Sequence, residues 1–118
     1  MINLIRSFLA ILLLGAPATA ADLQLLMIEQ PGCIYCAQWD AEISHVYPKT
    51  EEGKAAPLKR HQLSAPLPPE LELTGPPVFT PTFILLDGNH EVGRIQGYPG
   101  EGFFWSLLSG MIDKASAP

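Results

Sequence analysis

The chain has 118 residues, 47% of them apolar and 16% charged, with a formal net charge of −5 at neutral pH. Those counts fit one small globular domain and exclude a disordered tail. Twelve acidic residues against seven basic ones, with no basic run, argue against nucleic acid or an anionic membrane surface as partner, and two cysteines are too few for a disulfide scaffold or a four-cysteine zinc site.

Residues 1–20 carry a single charge, Arg6, then an apolar run from Phe8 to Leu14, then Gly15, Pro17 and the small-residue sequence Ala18-Thr19-Ala20. A basic start, a short apolar stretch and an A-x-A site describe a secretory signal peptide, with cleavage after Ala20 or Ala21. The rival, a retained membrane anchor, has an apolar run well short of the roughly 20 residues a bilayer requires. Removing 20 of 118 residues leaves a domain of 98, spanning 21–118, whose charge becomes −6 because only Arg6 is lost. A domain of that size buries one modest core. The short, simple signal suits export to a bacterial periplasm, where cysteine pairs oxidise and persist, with no stable membrane association once the signal is gone.

Residues 23–28 (Leu-Gln-Leu-Leu-Met-Ile) read as a strand buried on both faces. Gln30-Pro31-Gly32 breaks it, and from 33 to 47 apolar residues recur at Cys36, Trp39, Ile43 and Val46 or Tyr47, a helical stripe stopped by Pro48. Trp39 is expected in the core, with a place at the lip of the site as the alternative. Residues 49–57 look like a polar loop, and 58–63 a weaker strand interrupted by Lys59, Arg60 and His61. The stretch 64–77 holds five prolines (66, 68, 69, 76 and 77) and reads as irregular, with room for one helical turn over 69–73. Phe83-Ile84-Leu85-Leu86 is a central strand, Asp87-Gly88-Asn89 a turn, and 91–95 the second arm of a hairpin ended by Gly97. After Pro99, the residues Phe103, Phe104, Leu107, Leu108, Met111 and Ile112 form an amphipathic helical stripe, with Glu101 early and Lys114 late as the helix dipole prefers. The order is β-α-β, a connector, then β-β-α.

Cys33-Ile34-Tyr35-Cys36 follows a strand and a Pro-Gly turn and opens a helix. Residues i and i+3 share a helix face, and a disulfide accepts Cα separations of about 4.4–6.8 Å, so the pair can close and reopen with little backbone movement. The first cysteine, at the helix start, is the better thiolate; the second lies one turn inside. That assigns Cys33 as the attacking sulfur and Cys36 as the one that resolves the mixed disulfide. Three blander readings stand beside it. A structural disulfide closing so short a loop removes only about 2 kcal/mol of unfolded-chain entropy. Zinc would need two more ligands from His45, His61 and His90, which are not placed for it, and covalent haem would need a His where Ala37 stands. The redox reading calls for no metal and no cofactor.

Thr80-Pro81-Thr82 stands just before the central strand, where a proline would cost a ladder hydrogen bond. A β-α-β unit with C-x-x-C on its first helix, Thr-Pro-Thr before a hairpin strand, then Gly97 and a last amphipathic helix, resembles the thioredoxin fold over essentially all of 21–118. The resemblance implies an α/β domain, a central mixed sheet flanked by helices. It also implies a cis Thr80–Pro81 bond facing the cysteines, with the Thr80 backbone offering strand-like hydrogen bonds to a substrate; an ordinary trans proline at a strand entrance is the local alternative. Gly97 matches the glycine that leaves room for a partner backbone, and Tyr35 is expected exposed, in contact with a partner.

The sequence also departs from thioredoxins. Ile34-Tyr35 replaces their Gly-Pro, and Met27 stands where they bury an aspartate. Glu29 is then the nearest acid, either a partial substitute or a surface residue. With the signal removed the chain is expected to enter directly on the first strand, their extra amino-terminal β-α unit missing or reduced, and the connector is too proline-rich for their long central helix. The segment from Glu29 to Cys36 (Glu-Gln-Pro-Gly-Cys-Ile-Tyr-Cys) is most similar to the short periplasmic thioredoxin-like proteins of bacterial sulfur oxidation, the SoxS and SoxW types. That likeness implies a thiol-disulfide oxidoreductase acting on a protein client with a reactive cysteine, the SoxYZ sulfur carrier, and fed by a membrane thiol transporter. A generic periplasmic reductant for another client, such as in cytochrome maturation, and a non-catalytic binding module are the alternatives.

Overall fold

The computed structural model describes residues 21–117; the signal-peptide reading falls on residues outside that range. Strand β1 (Leu23–Glu29) leads into helix α1 (Ile34–Trp39), a π-helical turn (Asp40–Ser44), a 3-10 turn (Tyr47–Lys49), helix α2 (Glu51–Ala55) and strand β2 (Leu58–Gln62). After the proline-rich connector come β3 (Thr82–Asp87), β4 (His90–Gln96) and α3 (Glu101–Ser116).

The sheet order is β2-β1-β3-β4, with β1 parallel to β2 and antiparallel to β3, and β3 antiparallel to β4. The two inner strands are the two continuous apolar runs, because only a strand covered on both faces gains from burying every side chain. Leu25, Met27, Phe83 and Leu85 face the helices and pack with Trp39, Ile43, Tyr47, Phe104 and Leu108. Trp39 sits fully in this core, 5.2 Å from Phe83 and 5.8 Å from Phe104 between ring centroids, which places it away from the lip of the site. Leu26, Ile28, Ile84 and Leu86 face the other way, where Leu63, Leu67, Leu71 and Leu73 of the connector cover them in place of a helix.

Four expectations need correction. The loop expected over 49–57 contains α2: Thr50 caps it, its Oγ1 accepting from the Gly53 amide at 3.0 Å, and Glu51 and Glu52 occupy the favourable first turn. The first helix does not run to Pro48; it widens at Asp40 into the π-helical turn, and Pro48 lies inside the following 3-10 turn. Within 69–73 the expected helical turn is reduced to one hydrogen-bonded turn at 69–70, the Leu71 amide donating to Pro68 O at 3.1 Å, after which Glu72 forms a parallel bridge with His90. There the amide of Glu72 donates to Asn89 O at 2.7 Å and that of Glu91 to Glu72 O at 3.0 Å. Farther along, the Arg94 guanidinium donates to Gly75 O at 2.7 Å. Finally, only Phe104, Leu108 and Ile112 of the α3 stripe are buried, while Phe103 and Leu107 face outward.

Candidate active site

Chain direction brings the site to one end of the sheet. β1 ends and β3 begins there, as their antiparallel pairing of Ile28 with Thr82 shows, and β4 ends there at Gln96. The three connections leaving that end carry Cys33-Ile34-Tyr35-Cys36, Thr80-Pro81 and Gly97.

Cys33 and Cys36 form a disulfide with a Cα–Cα separation of 5.2 Å, inside the range that needs no backbone movement. Cys33 is the N-cap of α1, and its Sγ accepts a hydrogen bond from the Cys36 amide at 3.1 Å. Such a donor favours negative charge on that sulfur once the pair is reduced. Cys33 is partly exposed, while Cys36 is 5% exposed and packs in the core. The two sulfurs therefore differ in access to a partner. Ile34 and Tyr35 between them are 78% and 59% exposed, as expected of Tyr35.

The Thr80–Pro81 bond is cis. Pro81 is buried, and its carbonyl accepts from the Gly97 amide at 2.7 Å, tying the second connection to the third. The Thr82 hydroxyl donates to Phe79 O at 2.6 Å, and the Gln30 side-chain amide donates to Thr80 Oγ1 at 2.8 Å, which links the loop before Cys33 to the proline loop. Among the described residues the backbone N–H and C=O of Thr80 make no hydrogen bond. Gly97 has φ of +83°, which disfavours any side chain, and nothing lies within 4 Å of where a Cβ would project. Tyr98, next in sequence, donates to the Glu42 carboxylate and so joins the Gly97 loop to the π-helical turn. Burial first, then this hydrogen bond, pushes the Tyr98 hydroxyl up, and the same bond holds Glu42 below the usual carboxylate value.

Beside the disulfide lies a shallow groove of about 380 Å³ whose walls include Glu29, Cys33, Cys36 and Asp40. Glu29 is bound by Arg60, through Nε to Oε2 and through Nη2 to Oε1 at 3.1 Å, while Nη2 also donates to Asp40 Oδ2 at 2.9 Å. Arg60 enters from β2, paired in register with Met27, and its Cζ lies 6.0 Å from the Trp39 ring centroid. Sequence reasoning named Glu29 but missed Arg60, Asp40 and Gln30. The parallel register that delivers Arg60 has no local sequence signal, whereas the position of Gln30 in the turn before Cys33 could have flagged it. Val78 and Phe79, shortly before the proline in sequence, are 66% and 62% exposed. His45 is exposed, and His61 and His90 pair with Ala65 O and Glu72, away from the cysteines.

A strand-to-helix Cys33–Cys36 disulfide, with a cis proline at the same end of this sheet, defines a thioredoxin-fold thiol-disulfide oxidoreductase. No family model matches the chain, and no curated protein does. Among solved structures it is similar to the crystal structure of the periplasmic thioredoxin SoxS from Paracoccus pantotrophus in its reduced form, at 60% identity and a TM-score of 0.78, covering 80% of this chain and 99% of that one. The chain belongs to the SoxS family of periplasmic thioredoxins.

Proposed function

We propose that the protein reduces a disulfide on the SoxYZ sulfur carrier, with Cys33 as attacking thiolate and Cys36 as resolving sulfur. The observation that carries the division of labour is the difference in exposure between the two cysteines within one disulfide. In the reduced enzyme the Cys33 thiolate attacks one sulfur of the client disulfide; that S–S bond breaks, and the departing client sulfur takes a proton as a thiol. Cys36, deprotonated, then attacks Cys33 Sγ. The mixed disulfide breaks, the second client thiol leaves protonated, and Cys33–Cys36 closes. Two electrons and two protons pass from enzyme to client, and a dithiol of a membrane thiol transporter restores the reduced state by the same exchange in reverse.

In this reading a client segment lies along the proline loop, pairing with the free N–H and C=O of Thr80 as a short added strand. Pro81 holds that loop against the cysteines, Gly97 leaves its flank open, and exposed Tyr35 touches the client on the helix side. Residues 1–20 act as the export signal.

The test is direct. Cys33→Ser should abolish insulin reduction with a dithiol donor, and retained activity would refute the assignment. Cys36→Ser should accumulate a mixed disulfide in periplasmic extract, and identifying its partner decides the client. SoxYZ in the trapped species supports the proposal; another protein in its place supports the generic-reductant alternative.

A further inference from the structure

The groove beside the disulfide presents two carboxylates, Glu29 from β1 and Asp40 from the end of the α1 helix, in the same walls as both cysteines. Two acids are an unfavourable setting for a thiolate, since each like charge disfavours a second anion. A single cation answers them. Arg60 reaches both, with Glu29 held through two contacts and Asp40 at 2.9 Å, so one side chain pins the last residue of β1 to the turn that ends α1. The Glu29 and Arg60 side chains are 17% and 38% exposed, less open to solvent than a free surface pair. Met27, the in-register neighbour of Arg60, contributes no charge.

We propose that Arg60 is a positioning residue for the redox pair: it is the counter-charge that neutralises the acidic wall of the cysteine groove and keeps the Cys33 thiolate accessible near neutral pH. The inference rests on Cys33 being the attacking sulfur. The charged or titratable groups disposed about the pair are Tyr35 on α1 between the cysteines, Glu29 from β1, Asp40 from the π-helical turn and Arg60 from β2. Farther round are the Glu42–Tyr98 pair, and Glu101 at the start of α3. Arg60 is the one cation in that set.

The reduced protein is titrated by iodoacetamide alkylation across pH, reading the midpoint of the fast Cys33 phase. Arg60→Met should raise the midpoint by about half to one pH unit, the Coulomb effect of one charge across a partly solvated groove. Arg60→Lys should recover most of it. Glu29→Gln with Asp40→Asn should lower the midpoint, and the triple variant, which loses two negative charges and one positive, should fall between that double variant and wild type, well below Arg60→Met. That alternation of sign cannot come from structural damage, and the acid-only double variant remains informative if Arg60→Met fails to fold. An unmoved midpoint in Arg60→Met, or a triple variant that stays with Arg60→Met, overturns the counter-charge. Loss of the function reading would look different: activity would survive Cys33→Ser.

Discussion

Gly53 lies in the middle of α2, where a helix-propensity argument predicts that alanine would stabilise the protein by up to about 1 kcal/mol. The structure predicts the opposite sign. A Cβ at Gly53 would lie 1.7 Å from the carbonyl oxygen of Tyr47, 2.6 Å from its carbon and 3.1 Å from the Tyr47 ring. Tyr47 cannot retreat. Its side chain is in the core, its hydroxyl donates to Ala56 O at 2.6 Å, and its ring stacks on Trp105 at 5.9 Å and tilts against Trp39 at 6.2 Å. Helix α2 must move instead, and three hydrogen bonds hold it: Gly53 N to Thr50 Oγ1 at 3.0 Å, Thr50 Oγ1 to Tyr47 O at 2.7 Å and Thr50 N to Tyr47 O at 3.1 Å. At about 1 kcal/mol each, less the propensity gain, Gly53→Ala should cost about 2 kcal/mol. In urea the unfolding midpoint should fall by about 1–2 M at unchanged slope. Gly110→Ala, in α3 with nothing within 4 Å, should move the midpoint the other way. A Gly53→Ala protein as stable as wild type would refute the reasoning.

Other substitutions probe neighbouring contacts. Tyr47→Phe strands the buried Ala56 carbonyl without its donor and should cost about 1–2 kcal/mol in the same urea assay, with redox activity retained. For Glu91, burial pushes the carboxyl up, but hydrogen bonds from Arg94 and Thr74 outweigh it and hold the group below its ordinary 4.5. A depressed carboxyl contributes stability above its unfolded value that fades as pH falls through the folded one. The melting-temperature gap between wild type and Glu91→Gln should therefore narrow from pH 6 to pH 3; a constant gap would contradict the pairing. Gly97→Ala forces a side chain into a left-handed backbone, at about 1–2 kcal/mol. It should also slow insulin reduction more than reduction of a small aromatic disulfide, because only a protein client needs the space beside the proline loop. Equal slowing would remove Gly97 from the client-binding surface.

The parts of the fold legible in the sequence are those that local pattern controls. β1 and β3 announced themselves as unbroken apolar runs because inner strands have no solvent face, and Trp39, Ile43 and Tyr47 kept the helical spacing despite the change from α to π geometry. Helix α2 was hidden because its sequence, Glu-Glu-Gly-Lys-Ala, has no apolar stripe; it is fixed by the Thr50 cap and the close approach of Gly53 to Tyr47. Phe103 and Leu107 misled for the converse reason, since an apolar residue at helical spacing indicates a face without saying whether anything covers it. In the site, the cysteine pair and Thr80-Pro81 could be read from motif and resemblance. Arg60 could not, because it reaches Glu29 and Asp40 only through a parallel strand pairing set by long-range packing.

The cross-links between Glu72 and the backbone of Asn89 and Glu91, and from Arg94 to Gly75, bear on how the molecule behaves when crowded. They occupy part of the margin of β4 that would otherwise offer unpaired amides to a neighbouring molecule. The opposite margin, β2, has Lys59, Arg60 and His61 in sequence, and charged side chains there discourage edge-to-edge association. On the proposed reading a client strand is accepted at Thr80, while the outer borders of the sheet, β4 in part by these cross-links and β2 by its charges, discourage fibrous self-association.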